Sequence, residues 1–370
     1  MQIPGRNACG LRGCNAAIDR NPPSCPACRD VPTDDIFDGA SCHYYCSSQH
    51  LSADKSRHEQ ECLARRTWRS MVRVGALYNM LFMCLQTNLF LSHMVAAEVD
   101  AEGLKLVTLA RRKTVGGDSW DYTAILLPEV LGAWSFDQCR SCVAWLTPVL
   151  GWLVEDLPLR IDEKDLRPKD TPNRQKVYTP MSRSYKIATR HQVVTLTPTL
   201  TWPPSPEGLT LDATSMQYGH TVVSLRDSDY MRERADPAGA ETQDFGHTYT
   251  EWVKDNRWCR KNTRSYREFA MEQIAIAKMH QAVWQKLPRR EDRQDLLLDM
   301  SHEAFIEARD NIGRAVCAEL QLLRPGFEKI EAADGQCDDD LERMREEQRG
   351  EGDEEIQERL MDLLDAGCDM

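Results

Sequence analysis

Three hundred and seventy residues, 41 % hydrophobic and 28 % charged with 20 Gly and 18 Pro, suffice for a small module plus one large domain or two modest ones, and exclude a collagen-like or wholly disordered chain. The formal net charge is −12; residues 331–370 hold 16 Asp/Glu against 4 Arg, so the acidic excess lies in that tail and the preceding 330 residues are formally neutral. A neutral body has no net positive field to draw in phosphate, so whole-chain electrostatics do not favour nucleic acid.

Seven of the 14 cysteines fall within the first 62 residues. No apolar leader precedes Cys9, and clustered cysteines without an export signal are read as metal ligands in an intracellular protein, nuclear or cytoplasmic, rather than as disulfides. No membrane association is expected. The most apolar run, Cys142 to Val154, has 13 residues and contains Pro148, where a span needs about 20.

In chain order, residues 1–64 form a Cys-rich segment. From about Arg66 to Val99 a buried helix is expected, with Leu77, Leu81, Cys84, Leu85 and Leu89 on one face at 3.6 periodicity. Gly103 to Leu109 alternates as a half-buried strand, Gly116-Gly117-Asp118 is a turn, and Tyr122 to Leu127 reads as the returning strand. A helix capped by Ser135 carries Cys139, Cys142, Val143, Trp145 and Leu146. Residues 160–182, charged and Pro-dotted, read as a surface loop. Val193 to Thr201 and Leu209 to Leu211 read as strands, and Arg226 to Thr248 as a polar loop. Helical patterns cover Arg264 to Lys286 and Arg290 to Leu323. The tail ends in an amphipathic hint at Ile356, Leu360, Leu363 and Leu364. The domain reading is therefore 1–64, a zinc finger; 65–330, an α+β body with a degenerate papain- or transglutaminase-like core at about 135–225 and a helical part at 264–325; and 331–370, an acidic tail.

The strongest chemical signal is four pairs of metal-ligand residues: Cys9-x4-Cys14, Cys25-x2-Cys28, Cys46-x3-His50 and His58-x3-Cys62. Two tetrahedral zinc sites need eight ligands, and these pairs supply eight. A Cys-x2-Cys turn aims both thiolates at one ion, and an i,i+4 pair sets two ligands on one helical face. Two short helical turns are expected for Cys46–His50 and His58–Cys62. A module so small buries little apolar area, so the ions would supply most of its folding energy.

Tyr45-Cys46-Ser47-Ser48-Gln49-His50, Asp54 and His58-Glu59-Gln60-Glu61-Cys62 together resemble the second half of a MYND zinc finger, with His50 where most members have Cys. The resemblance implies interleaved ligation: Cys9, Cys14, Cys46 and His50 on one Zn2+, and Cys25, Cys28, His58 and Cys62 on the other. The chain departs from the family in its x4 first pair and in Lys55, where the family often has Trp. Cys42 and His43 are spare potential ligands. With every coordination position filled, these zincs would be structural.

The family's implied role is protein–protein interaction through short, often Pro-containing peptides, in regulation of transcription or turnover. Charge agrees with a peptide rather than a nucleic-acid partner, since residues 1–62 carry 6 Lys/Arg against 8 Asp/Glu. No enzyme signature accompanies the finger: there is no G-x-G-x-x-G, no G-x4-G-K-[ST], and no sequence of the SET methyltransferase type that many MYND chains carry.

A competing reading is a thiol hydrolase or acyl-transfer enzyme. Leu209 to Gly219 resembles the acid-bearing strand of transglutaminase-like relatives of the papain fold, with Asp212 as the acid and Gln217 beyond it. His191 lies upstream on a β-rich run, and Cys139 or Cys142 near a helix N-terminus would be the nucleophile. The interaction protein is the first expectation and the enzyme the alternative.

Overall fold

The computed structural model describes residues 9–18, 22–25, 44–89, 92–99, 105–111, 138–169, 175–178, 190–199, 207–257, 264–332 and 338–350. Helix α1 runs unbroken over Ser48–Leu89, 42 residues. It replaces the two short turns expected for the second half of the Cys-rich segment: His50, His58 and Cys62 share one helix, and residues 64 and 65 both lie inside it. Its C-terminal half follows the predicted face, with Leu77, Leu81, Cys84 and Leu85 buried.

Helix α1 ends ten residues earlier than expected, because Ser92–Val99 is strand β1. β1 pairs antiparallel with β2 (Lys105–Arg111), which pairs in parallel with β4 (Gln175–Tyr178). The candidate returning strand at residues 122–127 and the cap at Ser135 lie outside the described residues.

Helix α2 (Cys139–Val154) is apolar almost all round and buried accordingly. After it comes a five-stranded sheet, antiparallel throughout, in the order β7-β6-β5-β3-β8. Its strands are β3 (Leu159–Pro168), β5 (His191–Pro198), β6 (Leu209–Leu211), β7 (Ser224–Arg226) and β8 (Ala235–Asp244).

Two segments read as loops are part of this sheet. β3 lies between β5 and β8 although its sequence, LRIDEKDLRP, looks like solvated chain. Its charges are paired: Lys164 Nζ donates to Asp227 at 2.6 Å, Arg190 to Asp165 at 2.7 Å, and Arg160 to Asp162 at 2.9 Å. The carboxylate of Glu163, 1 % exposed, accepts the backbone N–H groups of Gly246 and Thr248, both at 2.8 Å. Those amides open helix α4 (His247–Arg257), where an anion is favoured. The second segment, 226–248, forms helix α3 (Asp227–Glu233) and the edge strand β8, whose polar, largely exposed faces conceal its pairing.

The C-terminal region is helical, as expected, through α5 (Arg264–Lys286), α6 (Arg290–Gln294), a π-turn over Asp295–Asp299, and α7 (His302–Ala332). The acidic tail opens with one more helix, α8 (Asp338–Gly350), which docks through the buried Leu341 and a 2.5 Å hydrogen bond from Tyr266 Oη to Glu342.

One hydrophobic core joins α1, α2, the inner sheet strands, α5 and α7. Gly75 lets α1 approach the sheet closely, since a Cβ there would meet Ser224 Oγ at 2.7 Å and Leu211 Cδ2 at 2.9 Å. Three arginines one or two turns apart tie α1 to the π-turn: Arg66 reaches Asp299, Arg69 the Leu298 carbonyl, and buried Arg73 the carbonyls of Leu296 and Met300 at 2.7 and 2.5 Å. No helix among the described residues is long and apolar enough to cross a membrane.

Candidate functional site

Near the N-terminus, turns and the start of α1 gather two groups of Cys and His. In the first, ligand atoms of Cys9, Cys14, Cys46 and His50 all lie within 4.8 Å of one another. Cys9 and Cys14 flank a turn closed by Cys14 N–H on the Leu11 carbonyl (3.0 Å), with Gly13 at φ 85°, a left-handed conformation suited to glycine. Cys46 stands just before α1, and His50 lies in its first turn. The second group is Cys25, His58 and Cys62, with the same spacing limit. Cys28, Cys42 and His43 lie outside the described residues.

The separations suit a shared cation. Cys14 Sγ and Cys46 Sγ are 3.8 Å apart, and Cys25 Sγ and Cys62 Sγ 3.5 Å. A disulfide needs about 2.05 Å, whereas two thiolates about 2.3 Å from one tetrahedral zinc are about 3.8 Å apart. Cys9 Sγ to His50 Nδ1 is 3.6 Å, close to the edge that mixed S/N ligation gives, and Cys46 Sγ to His50 Nδ1 is 3.1 Å. Each of the two groups could bind a metal ion such as zinc.

The surroundings stiffen this arrangement. Cys46 N–H points at Cys9 Sγ (3.5 Å). Burial works to raise the Cys9 thiol, but N–H groups of Cys46 and Leu11 together with His50 outweigh it and bring it down to about 6, which suits a thiolate ligand. Gly10 N–H donates to the Tyr44 carbonyl at 2.7 Å, and Tyr45 N–H to the Pro23 carbonyl at 2.8 Å, so the strand before α1 is stitched to both Cys-bearing loops. Tyr45, fully buried, donates its phenol to Asp54 (2.9 Å). Arg57 clamps the same carboxylate with two bonds of 2.6 and 2.7 Å and caps the Gly10 carbonyl at 2.8 Å. Asp54 belongs to the motif quoted above; Arg57 was not singled out, although its i,i+3 spacing from Asp54 is a readable signal.

A second constellation lies in the body. Cys139 is the first residue of α2, His191 the first of β5, and Asp212 directly follows β6. β5 and β6 are adjacent antiparallel strands, which sets His191 beside Asp212: Nε2 lies 2.9 Å from Oδ2. Asp212 also accepts from Tyr230 Oη (2.7 Å) and Thr214 Oγ1 (3.2 Å), and the edge of Tyr218 packs on the His191 ring at 4.7 Å between centroids. Cys139 lies beside the pair, its Sγ 4.0 Å from the carbonyl oxygen of Arg190, the residue before His191.

Both members of the His191–Asp212 pair are buried, 2 % and 3 % exposed. Burial alone pulls His191 down, but the Asp212 charge, its hydrogen bond and the Cys139 thiol lift it to about 10. Burial alone pushes Asp212 up, but the imidazolium and Tyr230 hold it below the usual carboxylate range. The pair is therefore ionised at neutral pH. Cys142 takes no part: it is 2 % exposed, its thiol points at Tyr78 Oη (3.4 Å), and burial pushes it well above an ordinary thiol. Thr214, Tyr218 and Tyr230 were not anticipated as neighbours of the pair. Tyr230 lies 18 residues from Asp212 and carries no local signal.

The chain matches no family model, no curated protein and no solved structure.

Proposed function

We propose that the N-terminal segment is a MYND-type zinc finger, holding two structural Zn2+ ions, and that the protein is an interaction or adaptor protein that docks short peptides of partner proteins on it. The observation that carries this reading is the gathering of Cys9, Cys14, Cys46 and His50 in one group and of Cys25, His58 and Cys62 in another, at ligand-edge separations. Cys28 is assigned as the fourth ligand of the second ion on the sequence pattern alone. The Tyr45–Asp54–Arg57–Gly10 network supports a small module whose shape depends on fixing the two loops against the helix. The excess of acidic over basic residues in 1–62, made more negative by about −1 per Cys3His site once Zn2+ is counted, favours a neutral or basic peptide over nucleic acid.

The test is metal analysis of the full chain with capture of proline-containing peptides from a displayed peptide library. Two zinc ions per chain, and capture that is lost on chelation and restored by added zinc, are expected. A stoichiometry of one or none would overturn the ligand assignment. Two ions with no zinc-dependent capture would overturn the interaction role.

A further inference from the structure

We propose that Cys139, His191 and Asp212 form a thiol acyl-transfer site in the body, acting on carboxylic amides or esters, separate from the metal groups and independent of the reading given to them. The argument is geometric. The three residues come from three different elements, the N-terminus of α2, the start of β5 and the end of β6, and the fold brings them together: His191 lies 2.9 Å from Asp212, and Cys139 Sγ 4.0 Å from the carbonyl of Arg190, next to His191. His191 Nε2 lies 2.9 Å from Asp212 Oδ2, and neither ring nitrogen is held in a hydrogen bond of ordinary geometry among the described residues, which leaves the imidazole open to exchange a proton with the nearby thiol. A nucleophile, a base and a group orienting that base are the parts a covalent acyl-transfer site requires.

A merely structural pairing accounts for less of this. A buried His–Asp pair is costly to desolvate and is weak as a stabilising device. This one is also packed against Tyr218 and held by Tyr230 and Thr214, so the imidazole has one orientation. Of the two nearby thiols, the one at the helix end lies against the backbone next to His191 while that of Cys142 points at Tyr78, and it is the more exposed, 7 % against 2 %. The first intrahelical bond of α2 runs from Cys142 N–H to the Gln138 carbonyl (2.7 Å). The N–H of Cys139 therefore has no intrahelical acceptor and is placed to donate to an acyl oxygen.

The step balances without any oxidant or reductant. The Cys139 thiolate adds to the carbonyl carbon; a C–S bond forms and the π pair moves to oxygen. The pair returns, the bond to the leaving group breaks, and that group departs with the proton from the His191 imidazolium. The acyl-Cys139 thioester and a neutral imidazole remain. Water then adds to the thioester while giving its proton to the neutral His191 imidazole, and collapse expels the thiolate and releases the carboxylic acid. Asp212 touches neither sulfur nor acyl group in this sequence and is a positioning residue.

The test is a pulse of 4-nitrophenyl acetate on the full chain at neutral pH, quenched in acid and digested with trypsin. Arg140 lies between the two thiols, so the digest puts Cys139 and Cys142 in different peptides. The expected result is a burst of nitrophenolate matched by acetyl on the Cys139 peptide and none on the Cys142 peptide. The burst disappears in Cys139→Ser, and acetylation falls about 100-fold in His191→Ala, the usual scale for losing an acid–base partner. Asp212→Asn slows acetylation and shifts its pH profile, whereas a purely structural Asp212 would leave the profile in place. Acetylation of Cys142 in any variant marks loss of the fold and disqualifies that variant; the native chain still decides. Acetylation of native Cys139 no faster than in urea-unfolded chain, or equal rates in a folded His191→Ala protein, would overturn the proposal.

Discussion

The phenol of Tyr45 donates a 2.9 Å hydrogen bond to Asp54, nine residues further along the chain, and so fixes the segment before α1 to the second turn of that helix. Asp54 is 2 % exposed and Tyr45 is fully buried, so removing the hydroxyl leaves a buried acceptor short of a donor. Tyr45→Phe is expected to weaken the module by about 1–2 kcal/mol. Chelator competition should show faster zinc loss with unchanged stoichiometry; unchanged zinc retention would mean that the Arg57 clamp alone suffices.

Metal removal should act locally on α1. The helix residues that carry candidate ligands, His50, His58 and Cys62, lie within its N-terminal half, while Trp68 to Leu85 is buried in the core. In the full chain, chelation or Cys62→Ser should raise amide hydrogen exchange over residues 48–62 and leave the protection of 68–85 intact. Equal deprotection along the whole helix would show that the body also depends on the ions.

Glu163 closes the N-terminus of α4 with both carboxylate oxygens. Glu163→Gln replaces one acceptor with an NH2 group facing a backbone N–H, in a site with no access to water. A loss of about 2–3 kcal/mol is expected from urea denaturation. A change under about 0.5 kcal/mol, the size of an ordinary surface substitution, would show the cap to be dispensable.

Arg73 satisfies the carbonyls of Leu296 and Met300, which the π-turn leaves outside ordinary helical pairing. Arg73→Met keeps the aliphatic packing and removes the donors. Destabilisation of about 2–3 kcal/mol is expected, measurable as a lower denaturation midpoint with an unchanged slope.

The His191–Asp212 pair sets a pH dependence whose sign follows from proton binding. His191 is raised from 6.5 to about 10, so across that range the folded chain keeps a proton that the unfolded chain has released. Its contribution is complete below pH 6.5 and is lost as pH rises towards 10. Asp212 is lowered, so its contribution is present above the unfolded value of 3.8 and is lost as pH falls below it. Cys139 faces the imidazole, and Tyr230 and Arg234 face the carboxylate, so the pair is not isolated. The stability difference between native protein and Asp212→Asn should be largest between about pH 4 and 6.5 and shrink towards pH 9. A difference constant over that range would mean that the pair is not ionised.

What was readable in the sequence followed from how local the physics is. Ligand pairs such as Cys46–His50 are set by a few bonds of backbone and can be seen in their spacing. The helical periodicity from Leu77 to Leu85 and the β-rich run from Val193 are similarly local. Strand β3 was unreadable because its charges look solvated until Asp227, Arg190 and the end of α4 are brought beside them by distant parts of the chain. The single helix from Ser48 to Leu89 was missed for a related reason: its first sixteen residues are polar, and what holds them is metal-ligand geometry and the Asp54–Arg57 clamp, not an apolar stripe. The order Cys139, His191, Asp212 was visible, and β5–β6 pairing brings the last two together. That Cys142 should be set aside in favour of Cys139 required the burial of its thiol against Tyr78.

Helix α1 has a mechanical consequence. At about 1.5 Å per residue, His50 and Leu85 lie about 53 Å apart along one unbroken rod. The rod is clamped at its far end by the core and at mid-length by three arginines. The candidate ligands that α1 carries, His50, His58 and Cys62, therefore have no swivel of their own. Their rotational correlation time is that of the helix and the core it is packed in, and an ion held by them takes on the orientation of that core.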